Sequence, residues 1–292
     1  MGCPCELRLY APTNEDCSHA VRECVEEIGR FESKFSRYRA DSVTTAINRA
    51  SGVAPTCIDE ETTSILKYAE VCYEQSNGAF DITSGVFRRV WHVGRKTLPS
   101  QGEIDACLTR VGWDKVEHSD GKIYLSVPGM ELDFGGVVKE YAADAAAILA
   151  KQLGIRHGLV NLGGDICIFG SQPSGEPWPI GIVHPLKANS PIATVSLLEG
   201  SLATSGGYER FMEIEGRRYS HLIDPRTGWP IDGLLSVSVV ADQAIVAGSI
   251  ASVALLQQQG DGLEWLERCD TPYLAVDSKL ACHGHLVGRR AV

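Results

Sequence analysis

Apolar positions recur at two periods along this chain, and the switch between them marks out the elements. Residues 5–10 (Cys-Glu-Leu-Arg-Leu-Tyr) alternate and predict a strand. From about Glu15 to Arg37, the residues Val21, Cys24, Val25, Ile28, Phe31 and Phe35 recur at three- and four-residue steps, which predicts an amphipathic helix. A second helix is predicted from Asp59 to about Gln75, with acidic residues in its first turn and a stop at Asn77-Gly78. A short helix at 102–110, a strand at 122–127 and an Ala-rich helix from about Glu140 to Leu153 follow. Strands are then predicted at 157–162, 166–170, 179–184, 193–198, 209–214 and 235–241, with turns rich in Gly, Pro and Ser between them. A helix from about Gln243 to Gln257, another near Leu263–Arg268 and a strand near Pro272–Ala275 complete the chain. Helices and hairpin-like strands mix without a regular βα repeat. That predicts an α+β fold, a mixed and largely antiparallel sheet with packed helices. No linker or repeat divides the sequence, so 1–292 reads as a single two-lobed domain.

Charge and composition narrow the function classes. With 27 Lys+Arg against 37 Asp+Glu, the net charge is −10, and the clustered basic surface that grips a phosphate backbone is missing, so no nucleic-acid partner is expected. No stretch approaches the ~20 apolar residues of a membrane span. The start, Met-Gly-Cys-Pro-Cys, lacks a basic segment followed by an apolar run, so no signal peptide is visible. The expectation is a cytoplasmic chain, or a periplasmic one if the sequence is a trimmed piece. Ten cysteines include no Cys-x-x-Cys. Cys24, Cys72 and Cys107 fall at apolar helical positions and read as reduced, buried thiols.

Candidate chemistry sits in several polar, Gly-rich segments. Asn77-Gly-Ala-Phe-Asp81-Ile-Thr83 reads as a helix stop with an Asx-type turn, or as a carboxylate and hydroxyl set two residues apart. Leu132-Asp133-Phe-Gly-Gly136-Val-Val-Lys139 is a strand-to-helix junction suited to a phosphate, or a tight turn beside a solvated lysine. Neither a Walker loop nor Gly-x-Gly-x-x-Gly is present, which disfavours a Rossmann nicotinamide site. Asn161-Leu-Gly-Gly-Asp165 reads as a hairpin loop, and Ala203-Thr-Ser-Gly206-Gly207-Tyr208 also as a loop. In Ser220-His221-Leu-Ile-Asp224-Pro-Arg226-Thr-Gly228, His221 is a candidate base or a structural histidine.

The order of these segments carries more than any one of them. Together with Met1-Gly2 and Phe35-Ser-Arg-Tyr38-Arg-Ala-Asp41-Ser42 followed by Asn48, the series resembles the ApbE-type flavin transferases over nearly the whole chain. These are FAD:protein FMN transferases. The resemblance implies FAD as substrate, Mg²⁺ as cofactor, and transfer of FMN to a Ser or Thr hydroxyl of an acceptor protein with release of AMP. By position it implies that Met1 and Tyr38 contact the flavin end, and that Ala79, Phe80 and Asp81 line the nucleotide site. Asp133 and Lys139 then hold the ribose or phosphate region, Gly136 gives a main-chain carbonyl to Mg²⁺, and His221 orients or deprotonates the incoming hydroxyl. Where the family has Asp-Ala-x-Ala-Thr as metal ligands, this chain has Gly248-Ser-Ile-Ala-Ser252. Ser252 keeps the hydroxyl and Gly248 removes the carboxylate, or else Gly248-x-x-x-Ser252 is a small-residue face packed closely against a neighbouring element. Glu140 stands where the family usually has Gly, and Gly207 where a polar residue is usual. These departures leave two alternatives, an impaired FAD-binding or flavin-delivery protein and an FAD pyrophosphate hydrolase. The oligomeric state and the acceptor are not readable from the sequence.

Overall fold

The structure is a computed structural model, and it describes residues 2–207 and 211–287. The chain opens with strand β1 (Cys5–Tyr10) and helix α1 (Asn14–Phe35), whose first turn is capped by the Thr13 hydroxyl accepting from the Asp16 N–H. The buried stripe of α1 is Ala20, Cys24, Ile28, Phe31 and Phe35. Val25, expected on that face, is exposed, because the stripe steps by four from Cys24 to Ile28. Next come α2 (Val43–Arg49), β2 (Thr56–Cys57) and α3 (Glu60–Gln75), the last capped by Asp59 and stopped by Asn77 and Gly78 at positive φ. Helix α4 (Gln101–Leu108) carries a capping box between Ser100 and Glu103, and β3 (Val116–Ser119) pairs with β4 (Lys122–Leu125).

The Ala-rich stretch forms α5 (Val138–Gln152), followed by β5 (His157–Leu162) and β6 (Asp165–Phe169), with Gly163 and Gly164 at positive φ in the turn between. A long hairpin, β7 (Trp178–His184) with β8 (Lys187–Leu197), precedes β9 (Gly200–Gly206). A smaller hairpin, β10 (Phe211–Ile214) with β11 (Arg217–Ser220), leads through the 221–230 loop towards β12 (Ser236–Ala241). Helices α6 (Ala244–Leu255) and α7 (Gln259–Arg268) and strands β13 (Tyr273–Val276) and β14 (Cys282–His283) finish the described chain.

Seven strands form the main sheet in the order β1-β5-β6-β9-β12-β13-β14, and every neighbouring pair is antiparallel. Alternation along these strands separates two cores. Val160, Cys167 and Phe169 face α1, α3 and α5, whereas Leu159, Ile168 and Leu202 face the β7–β8 hairpin. Helix α6 (Ala-Ile-Val-Ala-Gly-Ser-Ile-Ala-Ser-Val-Ala-Leu) is small or apolar on nearly all sides, which suits its burial between the sheet, α5 and α7. Residues 203–206, read as a loop from their Thr, Ser and Gly, are the C-terminal half of β9 in the middle of the sheet. Turn-forming composition was outweighed there by pairing with β12 along one edge, the Thr204 N–H donating to the Asp165 side chain on the other, and a hydroxyl contact from Thr204 to Ser238 at 2.8 Å. All ten cysteines are free thiols, and Cys24, Cys72 and Cys107 are buried.

Candidate functional site

The predicted segments converge at one end of the main sheet. Asn48 on α2 clamps the backbone of Leu132, donating to its carbonyl at 3.0 Å and accepting from its N–H at 2.7 Å. The next residue, Asp133, donates its N–H to the Ile82 carbonyl at 2.8 Å, so segments 79–84 and 131–136 run side by side. Asp133 also accepts from the Gly135 N–H, closing the turn that precedes α5. Its other oxygen meets Arg37 Nη1 at 2.6 Å, and Arg37 donates to the Tyr38 hydroxyl at 3.0 Å. Burial would lower the Arg37 pKa, but the Asp133 charge outweighs it and holds Arg37 firmly cationic. Tyr38, at 79% exposure, offers its ring to solvent at the edge of this junction.

Segment 79–83 forms the wall beneath. Ala79 and Phe80 are buried, and a side chain on Gly136 would meet the Phe80 ring at 3.2 Å. Gly136 is therefore small because Phe80 fills the space. Asp81 is buried and accepts from the Thr83 N–H at 2.7 Å, and desolvation raises its pKa.

At the start of α5, Lys139 Nζ lies 2.5 Å from Oδ2 of Asp165, the first residue of β6. Burial would lower the lysine, and the Asp165 charge beside it raises it instead. Asp165 is 1% exposed, and its Oδ1 accepts from the Thr204 N–H in β9. Gly163, in the β5–β6 turn, lies against Cys3 and near the Lys139 side chain, so the N-terminal segment borders the same cluster. Met1 lies outside the described residues.

Next to Lys139, Glu140 points inwards. It is 5% exposed, and its Oε2 is buried without a hydrogen-bond donor. Desolvation first, and the facing Asp165 carboxylate second, push Glu140 up to about 8. Its side chain lies directly on Gly248 of α6: a Cβ there would sit 2.6 Å from Glu140 Cγ and 3.0 Å from Oε1. One turn earlier in α6, Asp144 of α5 accepts from the Ala244 and Ile245 N–H groups at 2.8 and 3.0 Å. The two helices are thus antiparallel, with 144 meeting 244 and 140 meeting 248. The next step of that register carries the Gly136 turn, which touches α6, towards Ser252. Ser252 shares a 2.9 Å hydroxyl contact with Ser205 of β9.

His221 is exposed in the loop after β11. Its neighbour Ser220 lies against Gly207, where a Cβ would come within 2.6 Å of the Ser220 hydroxyl. The His221 loop is thereby held beside the end of β9, and a polar side chain at 207 has no room. Asp224 and Arg226 pair at 2.9 Å and stiffen the loop.

The structure thus joins Tyr38, Asp133, Phe80, Gly136, Lys139 and Ser252 in one constellation. Sequence reading alone did not pick out Asp165, Arg37 or Ser205. An acid opening an apolar strand directly after Gly-Gly was the available signal for Asp165. Two cavities lie apart from this cluster. One of about 440 Å³ is bounded by Asp224, Trp229 and Gln258, and one of about 280 Å³ by Arg8, Asn161 and Trp178.

The donors present also fit a divalent cation. The buried Glu140 Oε2 has no proton donor, the Asp165 carboxylate beside it has Lys139 alone as its charge partner among the described residues, and a serine hydroxyl lies one helical turn from Gly248.

Comparison with known proteins places this geometry. The sequence model of the ApbE family matches residues 1–275. A Klebsiella pneumoniae protein named FAD:protein FMN transferase is 30% identical over 251 residues, covering 84% of this chain and 76% of its own length. A Treponema pallidum protein of the same name is 30% identical over 276 residues, covering 88% and 76%. The crystal structure of the ApbE protein of Thermotoga maritima superposes with a TM-score of 0.87 at 28% identity, covering 95% of this chain and 93% of that one.

Proposed function

The chain belongs to the ApbE family, and from that premise we propose that it is a transferase moving FMN from FAD to a Ser or Thr hydroxyl of an acceptor protein. The observation that carries this reading is the convergence of Arg37–Asp133, Lys139–Asp165 and Glu140 beside an exposed Tyr38. Such a site supplies what pyrophosphate cleavage needs: a fixed cation, an unencumbered helix start and an aromatic surface for an isoalloxazine ring.

In this reading Tyr38 stacks on the flavin, with its hydroxyl held by Arg37. Lys139 and the uncapped first turn of α5 hold the phosphates. The Gly136 carbonyl and the Ser252 hydroxyl would hold Mg²⁺ at the α5–α6 seam, where the ion would supply positive charge to pyrophosphate oxygens. The acceptor oxygen attacks the phosphorus on the FMN side, the bond to the AMP oxygen breaks, and AMP leaves. His221 takes the hydroxyl proton, a role its exposed loop position allows because the acceptor arrives from outside. No redox step occurs.

Incubation with FAD, Mg²⁺ and an acceptor domain presenting Thr or Ser should add one FMN to the acceptor by intact mass, with AMP released in equal amount. FAD binding without an FMN adduct or AMP would instead identify a flavin-delivery protein. AMP and free FMN without an adduct would identify a hydrolase.

A further inference from the structure

Glycine inside a helix costs up to about 1 kcal/mol relative to alanine, so one buried in the middle of α6 needs a local reason. Gly248 has one. Glu140 occupies the volume any side chain at 248 would take: a Cβ there would lie 2.6 Å from Glu140 Cγ and 3.0 Å from Oε1. The two positions exclude each other, and the carboxylate reaches the face of α6 from α5.

That carboxylate is also incompletely satisfied. Glu140 is 5% exposed and its Oε2 has no donor, whereas Asp165 Oδ2 nearby is met by Lys139 Nζ at 2.5 Å. Lys139 is the ion-pair partner of Asp165 among the described residues, and it approaches the Asp165 side of the pair. Two buried carboxylates beside one lysine leave room for one more positive charge, and uncompensated buried charge is costly. A shared proton would satisfy it. So would a divalent cation, for which the Ser252 hydroxyl, one turn along α6 from Gly248, and the adjacent Gly136 turn supply further oxygen.

We infer that Glu140 is the carboxylate ligand of a divalent cation at the α5–α6 seam, and that Gly248 is glycine in order to admit it. The inference rests on the transferase reading for its biological use, but not for its test. The carboxylate lost from α6 is supplied from α5, so Gly248 does not mark an impaired site. The same packing means that Gly248→Asp alone places a second carboxylate into volume that Glu140 already fills.

The test is uptake of Mn²⁺ by the full chain, read from the free-ion EPR signal with and without FAD. Wild type is expected to take up one ion, and Glu140→Gln, which keeps the shape of the side chain, to bind it about tenfold or more weakly. Gly248→Asp alone is expected to melt at lower temperature and bind no better. The joint exchange Glu140→Gly with Gly248→Asp is expected to recover uptake, which a merely structural Glu140 would not produce. Equal uptake by wild type and Glu140→Gln overturns the inference and leaves a shared proton between Glu140 and Asp165. So does the absence of uptake by a wild type that binds FAD. Uptake that depends on Glu140 in a protein that does not bind FAD would sustain the cation site and overturn the transferase reading.

Discussion

Single residues decide the character of this site through exclusion as much as through contact. Gly136 yields to the Phe80 ring, Gly207 to the Ser220 hydroxyl and Gly248 to Glu140. Gly248→Ala measures the last of these. Helix propensity favours alanine by up to about 1 kcal/mol, whereas forcing a methyl into filled space costs about 1–3 kcal/mol. The buried Glu140 stem cannot swing to solvent, so the steric cost wins and denaturant melts should show net destabilisation. In a Glu140→Ala background the same change should stabilise, because the contact is gone. Equal effects in both backgrounds, measured as a double-mutant cycle, would show that the two residues do not compete for space. That Gly248 packs closely against a neighbour was one of two readings the sequence offered; that the neighbour is Glu140 was not legible there. Gly248 read as a lost ligand or a small-residue contact and Glu140 as a departure from the family's usual Gly, since their pairing depends on a helix–helix register that no local pattern encodes.

At the scale of elements, the register of α5 on α6 comes from Asp144, whose two oxygens cap the first two N–H groups of α6 from outside the helix. Gln243, at the cap position itself, provides no side-chain bond. Asp144→Ala should therefore cost about 1–2 kcal/mol, the scale of a lost N-cap, and hydrogen exchange should speed up in the first turn of α6. Unchanged exchange there would mean another group fixes the register.

Helix α1 is tied to α3 by charge. Glu61 accepts from Arg30 at 2.7 and 2.8 Å and meets Lys34 at 2.6 Å, and the Arg30 hydrogen bonds lower its pKa from 4.5. A carboxylate with a depressed folded-state pKa contributes stability above its unfolded value and loses it as pH falls through that value and below. Acidification from about pH 6 to 3 should thus destabilise wild type more steeply than Glu61→Gln. Parallel curves would remove Glu61 from the acid response.

The elements most legible in the sequence were those with one dominant signal. Asp59 and Asn77-Gly78 bracket α3, the Ala run gives α5, and Asn161-Leu-Gly-Gly-Asp165 gives the β5–β6 turn. The C-terminal half of strand β9 was hidden because Thr204, Ser205 and Gly206 speak for a turn, and only pairing with β12 overrides them. Helix α2 is seven residues long and too short for a periodic stripe, yet it holds Asn48, which fixes Leu132 and so Asp133.

For the whole molecule, the family order of motifs becomes physical once the sheet is assembled. Segments around 37, 80, 133, 139, 165, 205 and 252 come from helices, turns and two central strands, and they meet because β6 and β9 are neighbours with α5 and α6 packed across them. The residue list read from the sequence was therefore largely gathered by the fold, while the charge balance within it, Lys139 and Asp165 with Glu140 facing Gly248, emerged only in three dimensions.

The most direct measurement of the central claim is titration of the full chain with FAD, following flavin fluorescence and the melting temperature together, with Tyr38→Ala alongside. The account predicts saturable quenching and a rise in melting temperature for wild type. For Tyr38→Ala it predicts an unchanged ligand-free melting temperature and affinity weaker by about 0.5–1.5 kcal/mol, the scale of a stacking contact. Fluorescence and melting both indifferent to FAD in the wild-type protein would contradict it.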